Sequence, residues 1–374
     1  KARKIVFDPV IDIQNARSDP ELFLKENPPP LILDEIQYAP ELLPVIKRRL
    51  DQDDSNGQYI MTGSQNLSVL KDVAESLAGR VVIIDLYNLS IDEKTDRAHR
   101  ITTNAANWIA GRVDRPEDPT ENNLDKSTDN SLFRSLWRGG YPRLLDREDT
   151  LVFDILQSYV RTYVERDIRV LSDISDANLF SRFLMLCAAL TAQEINFSQV
   201  GRELGITPQT AARWIRILQS TYQWVELPPY HGNTIKRISG KPKGYITDTG
   251  LACYLQRISS SEALSGHPLL GALFKTHVIT EFMRKYNASN YTPNLYHWRT
   301  HAGAEVDLIV EHDGIFSTVE IKCKSNVKKT DTRGIHQFRE TYPGLRHGPG
   351  YVIYAGDTLG KVTDDIHSVP YHMI

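Results

Sequence analysis

LILDEIQ, residues 31–37, is three apolar residues followed by Asp34, Glu35, Ile36 and Gln37. An apolar run ending in two adjacent carboxylates is one way a buried parallel strand delivers acid to a nucleotide. The aspartate helps to hold Mg²⁺ and the glutamate polarises the attacking water. The loop such a strand serves, G-x-x-x-x-G-K-[ST], is absent from the sequence. Any buried strand can end in a polar pair facing a turn, so the flanking pattern has to decide.

That pattern alternates regularly. KIVF (4–7) reads as a strand, and SDPELFLKE (18–26) as a helix opened by a Ser/Asp cap with Pro20 in its first turn. APELLPVIKRRLD (39–51) is helical, with Leu42, Leu43 and Ile46 on its apolar face. QYIMTGS (58–64) reads as a strand, NLSVLKDVAESL (66–77) as a helix and RVVIIDL (80–86) as another strand. Strands this apolar are buried on both faces, which predicts a parallel sheet flanked by helices. The pattern begins part-way through, without the strand, glycine loop and helix expected ahead of Lys1. TGSQN sets Ser64, Gln65 and Asn66 at the carboxyl edge of the sheet, placed to sense a γ-phosphate. Arg80 in SLAGR is either a surface charge or a group that stabilises phosphoryl charge in a neighbouring subunit.

A chain of 374 residues predicts two or three domains. With 41% hydrophobic and 24% charged residues it has a globular composition, and a net charge of −3 excludes a globally basic nucleic-acid binder. Cys187, Cys253 and Cys323 are widely spaced, which argues for a reducing compartment and against a zinc site. No apolar run approaches the ~20 residues that span a bilayer, and KARKIVFDP lacks the apolar core of a signal peptide. The expectation is a cytoplasmic protein without a membrane partner.

From Ser90 to about Asn130 the sequence is polar and reads as a linker with at most one helix, near Trp108 and Ile109. Helices dominate from Leu132 to Leu190, notably 151–168. NFSQVGRELGI (196–206) and TPQTAARWIRILQSTY (207–222) then read as two helices around a turn, followed by β-like QWVELPPY and KGYIT. Helix, turn, helix and hairpin is a winged-helix arrangement. Ala211, Ala212, Ile215 and Leu218 would pack inward, leaving Gln209, Thr210, Arg213 and Arg216 outside. Such a module serves either packing and protein contacts or the major groove of DNA. In the second case Arg213 reads the groove, and Lys236, Arg237, Lys241 and Lys243, with His231 nearby, meet phosphates from the wing.

The last hundred residues return to α/β: a helix over 267–286, strands at 294–300, 305–313 and 315–324, a helix at 332–342 and a strand at 350–355. Glu320 and Lys322 alternate onto one face of their strand, and Asp307 on the preceding strand can meet them. Two carboxylates can hold Mg²⁺ while a lysine orients or deprotonates a bound water, with Gln337 on the next helix close by. The alternative is a charged strand pair with a cross-strand salt bridge, and the pairing of E-x-K with V-D and Gln337 favours the nuclease-like reading.

LILDEIQYAPELL, GSQNL, SLAGR, WRGGYP, SYVRTYVERDI, NFSQVGRELGITPQTAARW, KPKGYITDTGLACYL, RTHAGAEVDLIV and VEIKCKS together resemble a prokaryotic family of AAA-type ATPases with a C-terminal domain of unknown function. The resemblance covers the chain except for 91–130. It implies an α/β multidomain protein that uses ATP and Mg²⁺, with DNA as partner and a homo-oligomer formed through the ATPase domain. Residues 1–90 would be a partial P-loop (AAA-type) parallel α/β domain lacking Walker A, 91–130 a polar linker, 131–190 a helical region and 191–260 a winged helix. Residues 261–374 would be a restriction-endonuclease-like, PD-(D/E)XK domain. Asp34 and Glu35 take Walker B roles, Ser64 or Gln65 the sensor role, and Arg80 an arginine-finger role; Asp307, Glu320 and Lys322 take nuclease roles. Where the family usually carries a glutamate in the first helix of that domain, this sequence has Lys275; Glu281 is the nearby acid. The implied function is an ATPase with a nuclease-like half acting on DNA, or an ATP-dependent regulatory protein whose nuclease-like domain binds without cleaving.

Overall fold

The computed structural model describes residues 2–7, 10–53, 55–63, 77, 79–95, 104–116, 129–163, 174, 176–289 and 291–374. They fall into two compact bodies, Lys1–Leu86 with Ile217–Tyr222, and Tyr87–Arg216 with Gln223–Ile374.

The first body is a parallel three-stranded sheet with helices. Strands β1 (Arg3–Val6), β2 (Leu31–Asp34) and β3 (Tyr59–Met61) lie in that order. Helices α1 (Val10–Ser18), α2 (Pro20–Glu26) and α3 (Leu42–Gln52) connect them. The helix expected at 18–26 is α2, which Asp19 caps: its side chain accepts from the Leu22 N–H and Pro20 follows in the first turn, whereas α1 ahead of it was not expected. Leu31 and Leu33 of β2 bury against Phe23, Leu24, Leu42 and Ile46. Residues 80–86, expected as a further strand, form none, and Val82, Ile84 and Leu86 are exposed. β-branched content favours a strand only where there is a neighbour to pair with.

In the second body, the stretch expected as a linker contains α4 (Ile91–Lys94) and α5 (Ala105–Ile109), whose Ile91, Asp92, Ala105 and Ile109 are buried. Helices α6 (Asp129–Arg138), α7 (Val152–Thr162) and α8 (Ala177–Ala189) follow. Next come β4 (Gln193–Glu194), α9 (Phe197–Leu204) and α10 (Pro208–Ser220), of which the part from Ile217 on is counted with the first body. Asn196 caps α9, which ends at Gly205 in the left-handed region, φ 71°, where a side chain would be strained. Thr207 caps α10 by accepting from the Thr210 N–H at 3.1 Å. Trp214 packs edge-on against Phe180 and Phe183 of α8, which leaves Arg213 and Arg216 exposed as expected. Strands β5 (Trp224–Leu227) and β6 (Lys243–Ile246) pair antiparallel, with β4 on the other side of β6.

The segment between β5 and β6, expected as a wing, is tied down. It carries α11 (Thr234–Ser239), and Tyr230 buries among Phe316, Phe338 and Tyr342. The Tyr230 N–H donates to the His297 carbonyl at 2.6 Å and the His297 N–H to the Pro228 carbonyl at 3.0 Å. Short helices α12 (Thr249–Leu255) and α13 (Ser261–Ser265) lead into α14 (Leu270–Ala288). After it come β7 (Asn294–Arg299), β8 (Glu305–His312), β9 (Ile315–Lys322), α15 (Arg333–Thr341), β10 (Arg346–Tyr354), β11 (Gly360–Thr363) and β12 (Ile366–Pro370). The sheet order is β11-β12-β10-β9-β8-β7. Strands β7, β8 and β9 are antiparallel neighbours, whereas β10 runs parallel to β9 and β12. No described helix is long and apolar enough to cross a membrane.

Candidate functional site

The pairing of β8 with β9, Leu308 opposite Val319, brings Asp307 to the backbone of Ile321, whose N–H donates to Asp307 Oδ2 at 3.0 Å. Glu320 and Lys322 share a face, with Lys322 Nζ 2.8 Å from Glu320 Oε2. Helix α15 closes one side. A Cβ at Gly334 would fall 1.9 Å from the Glu305 carbonyl oxygen and 2.2 Å from Glu320 Oε1, so glycine is what lets the helix lie this close. These residues, with Gln337, line a cavity of about 460 Å³. The sequence expectation that Asp307, Glu320, Lys322 and Gln337 gather is met.

Two further lysines enter the same cluster. Lys275 of α14 places Nζ 2.5 Å from Asp307 Oδ1 and 3.5 Å from Glu305 Oε1. Lys243 of β6 reaches Glu305 Oε1 at 2.5 Å and stands 3.9 Å from Asp307 Oδ1. Burial disfavours charge on Asp307, yet Lys275, Lys243 and Lys322 outweigh it and hold its pKa well below the carboxylate range. Burial and then the Asp307 charge push Glu320 the other way, up to about 8. For Lys275 burial is outweighed by Asp307 and Glu305, so it remains an ammonium.

This donor set does not fit a divalent cation. One Asp307 oxygen is taken by Lys275 and the other by the Ile321 N–H, and Glu320, engaged by Lys322, has its pKa raised by burial and by the Asp307 charge. Mg²⁺ needs ionised oxygens free to turn towards it. Among the described residues no group of three or more His, Cys, Asp or Glu side chains is arranged to hold a metal ion.

Several expected site residues stand elsewhere. Lys243 is 2% exposed and belongs to this ion cluster, so the expectation of a phosphate contact is corrected: strand β6 points it inward. Arg237 lies 4.4 Å over the Tyr230 ring and donates to the His231 carbonyl, which holds it against the protein. Lys241 is exposed, and the side chain of Lys236 lies outside the described set. Glu281 is fully buried away from the cavity. It accepts from the Ile91 N–H at 2.8 Å and pairs with Arg284 at 2.9 Å, and therefore does not replace the missing helix carboxylate. What sequence reasoning missed was Lys243 and Glu305. Their contact spans 62 residues, and the basic run around Lys243 suggested solvent.

In the first body Asp34 ends β2 with its side chain half-buried. Lys4 Nζ lies 2.7 Å away, and the Thr62 hydroxyl donates to the same carboxylate. The hydrogen bonds from Lys4 and Thr62 lower the Asp34 pKa. Glu35 has φ 62° and accepts from Gln37 Nε2 at 2.5 Å. Arg80 pairs with Asp51 at 2.6 Å. Ser64, Gln65 and Asn66 lie outside the described residues.

Residues 3–95 match the AAA domain family, residues 129–262 a Domain of unknown function (DUF8612), and residues 270–374 a Domain of unknown function (DUF4143). The chain thus carries an AAA domain at its N-terminus, as its sequence resemblance implied, and two domains of unknown function where the resemblance implied one. Among individual proteins, it is 28% identical over 360 residues to an uncharacterized protein of Mycobacterium tuberculosis and to one of Mycobacterium bovis. Each alignment covers 96% of this chain and 72% of the relative. No solved structure matches the chain.

Proposed function

We propose that this protein is an AAA-type ATPase whose C-terminal half is a non-cleaving platform that binds DNA. The observation carrying the reading is the pair of lysines, Lys275 and Lys243, that occupies the carboxylates a nuclease would give to metal. The order helix, three antiparallel strands, helix and parallel strand over α14 to β10 supports a restriction-endonuclease-like ancestry. The helix-turn-helix of α9 and α10 beside β4-β6-β5 supports the winged-helix reading, with exposed Arg213 and Arg216 on its second helix. In the ATPase domain Asp34 is the residue to hold Mg²⁺ and Glu35 the one to orient water. Bound Mg-ATP supplies the phosphoryl group to be hydrolysed. A non-glycine residue in the left-handed region costs on the order of 1–3 kcal/mol and clusters at functional positions, which fits Glu35.

The test has two arms. Incubation with linear, branched and single-stranded DNA in Mg²⁺ or Mn²⁺ is expected to give no cleavage; cleavage that disappears in Asp307→Asn overturns the platform. In a version carrying a phosphate loop, Glu35→Gln is expected to keep ATP binding and slow hydrolysis ~10²–10⁴-fold. Unchanged turnover removes Glu35 from the mechanism.

A further inference from the structure

A second cavity, of about 470 Å³, is bordered by α4, α6 and the loop after α6. Its floor is fixed by a buried carboxylate. Asp248, 0% exposed, accepts from the Gly140 N–H at 2.7 Å, Asn88 Nδ2 at 3.0 Å and the Leu251 N–H at 2.8 Å. Gly139 has φ +75°, and a Cβ there would lie 2.2 Å from Asp248 Oδ1. Tyr141 is anchored through its hydroxyl to Gln223 at 3.1 Å, and Gln223 in turn to Tyr159 at 2.8 Å. The loop is therefore held in shape by hydrogen bonds made entirely within the protein, and the cavity stands ready-formed, as ligand sites usually do.

The charge lining this cavity is unbalanced. Lys94 Nζ makes two contacts, to Ser135 Oγ and the Gly139 carbonyl, both at 3.3 Å, long for an ammonium. Among the described residues no carboxylate lies within 4.0 Å of it. Burial lowers its pKa, with Glu281 and Asp248 only partly compensating. Arg134 and Arg138 share one carboxylate, Asp149. The charged side chains that line the cavity, Lys94, Arg134 and Arg138, are thus all cationic, with Asp149 and Asp248 outside the lining, while Leu89, Ile91 and Leu144 supply apolar wall.

We propose that this cavity binds a small amphipathic carboxylate, its acid group on Lys94 and its apolar body against Leu89, Ile91 and Leu144. Lysine is suited to the acid end because a compact ammonium with a free donor gains a charge-assisted hydrogen bond, and low surrounding polarity strengthens it. The arginines set the sign of the field at the mouth, disfavouring cations. The site is separate from the Asp307 cluster and uses none of its residues.

The experiment is calorimetric titration of the full chain with octanoate, octanol and inorganic phosphate. Octanoate is expected to bind at least about tenfold more tightly than either of the others, because only it satisfies both the ammonium and the wall. Lys94→Met, which keeps length and apolar stem, should lower octanoate affinity about tenfold or more. Equal binding of octanol shows that charge is not read, and equal binding of phosphate shows that the wall is not; either overturns the proposal, as does absence of octanoate binding. The wild-type comparison stands even if the variant fails to fold.

Discussion

The acidic ends of β2 and of β8–β9 are both met by lysine, and what differs is the water around the ammonium. Lys4 and Asp34 are 55% and 27% exposed at their side chains, whereas Lys243 and Asp307 are each 2% exposed. An exposed pair is held by little more than it would gain from water and exchanges readily for another ion. A buried pair has already given up its hydration, so removing one partner strands the other. The same two residue types therefore make an open acidic site in the AAA domain and a closed one in the C-terminal domain.

The largest expected effect breaks the closed site. Asp307→Ala removes the partner of Lys275, a neighbour of buried Lys243, and the acceptor of the Ile321 N–H. Uncompensated buried charge typically costs about 3–5 kcal/mol. Urea denaturation should show a loss of that order; a loss under about 1 kcal/mol would mean that water reaches the cluster and the contrast with Asp34 is false.

A pH series sharpens the same contrast. The folded pKa of Glu320 is raised to about 8, so its contribution is fully present below its ordinary value of 4.5 and is lost as pH rises towards 8. Asp307 is depressed, so its contribution is present above 3.8 and is lost only in stronger acid. Between about pH 5 and 8 Glu320 dominates, and stability should fall with rising pH by up to about 1 kcal/mol per unit. Glu320→Gln should flatten that slope. A slope unchanged in the variant places the titration elsewhere.

How much of this was legible follows from what local pattern encodes. Alternation along β8 and β9 put Glu320 and Lys322 on one face with Asp307 opposite, because strand periodicity is a property of the backbone alone. Helix α14 and strands β7, β8 and β9 fall close to their expected limits for the same reason. Strands β11 and β12 escaped notice: GKVT is short and polar, and its place depends on the edge that β12 offers. RVVIIDL failed the other way, since a β-branched run says nothing about whether a partner stands beside it. Lys275 was visible as a departure from the family, but the closure of the site by Lys243 was not. That contact depends on Lys243 of β6 reaching Glu305 of β8 in another sheet, a tertiary fact that no spacing in the sequence carries.

The smallest expected effect tests the open site. Lys4→Ala removes the ammonium 2.7 Å from Asp34 and leaves the Thr62 hydroxyl on the same carboxylate. Exposed pairs are worth about 0–1 kcal/mol, so stability should change by no more than that, and added salt should erase most of the difference between the two proteins because exposed charges are screened. A carboxylate that loses its lysine at so little cost is one that a Mg-nucleotide can claim. If Lys4→Ala instead costs more than about 2 kcal/mol at moderate salt, Asp34 is locked as Asp307 is, and the ATPase reading loses the exchangeable carboxylate on which it depends.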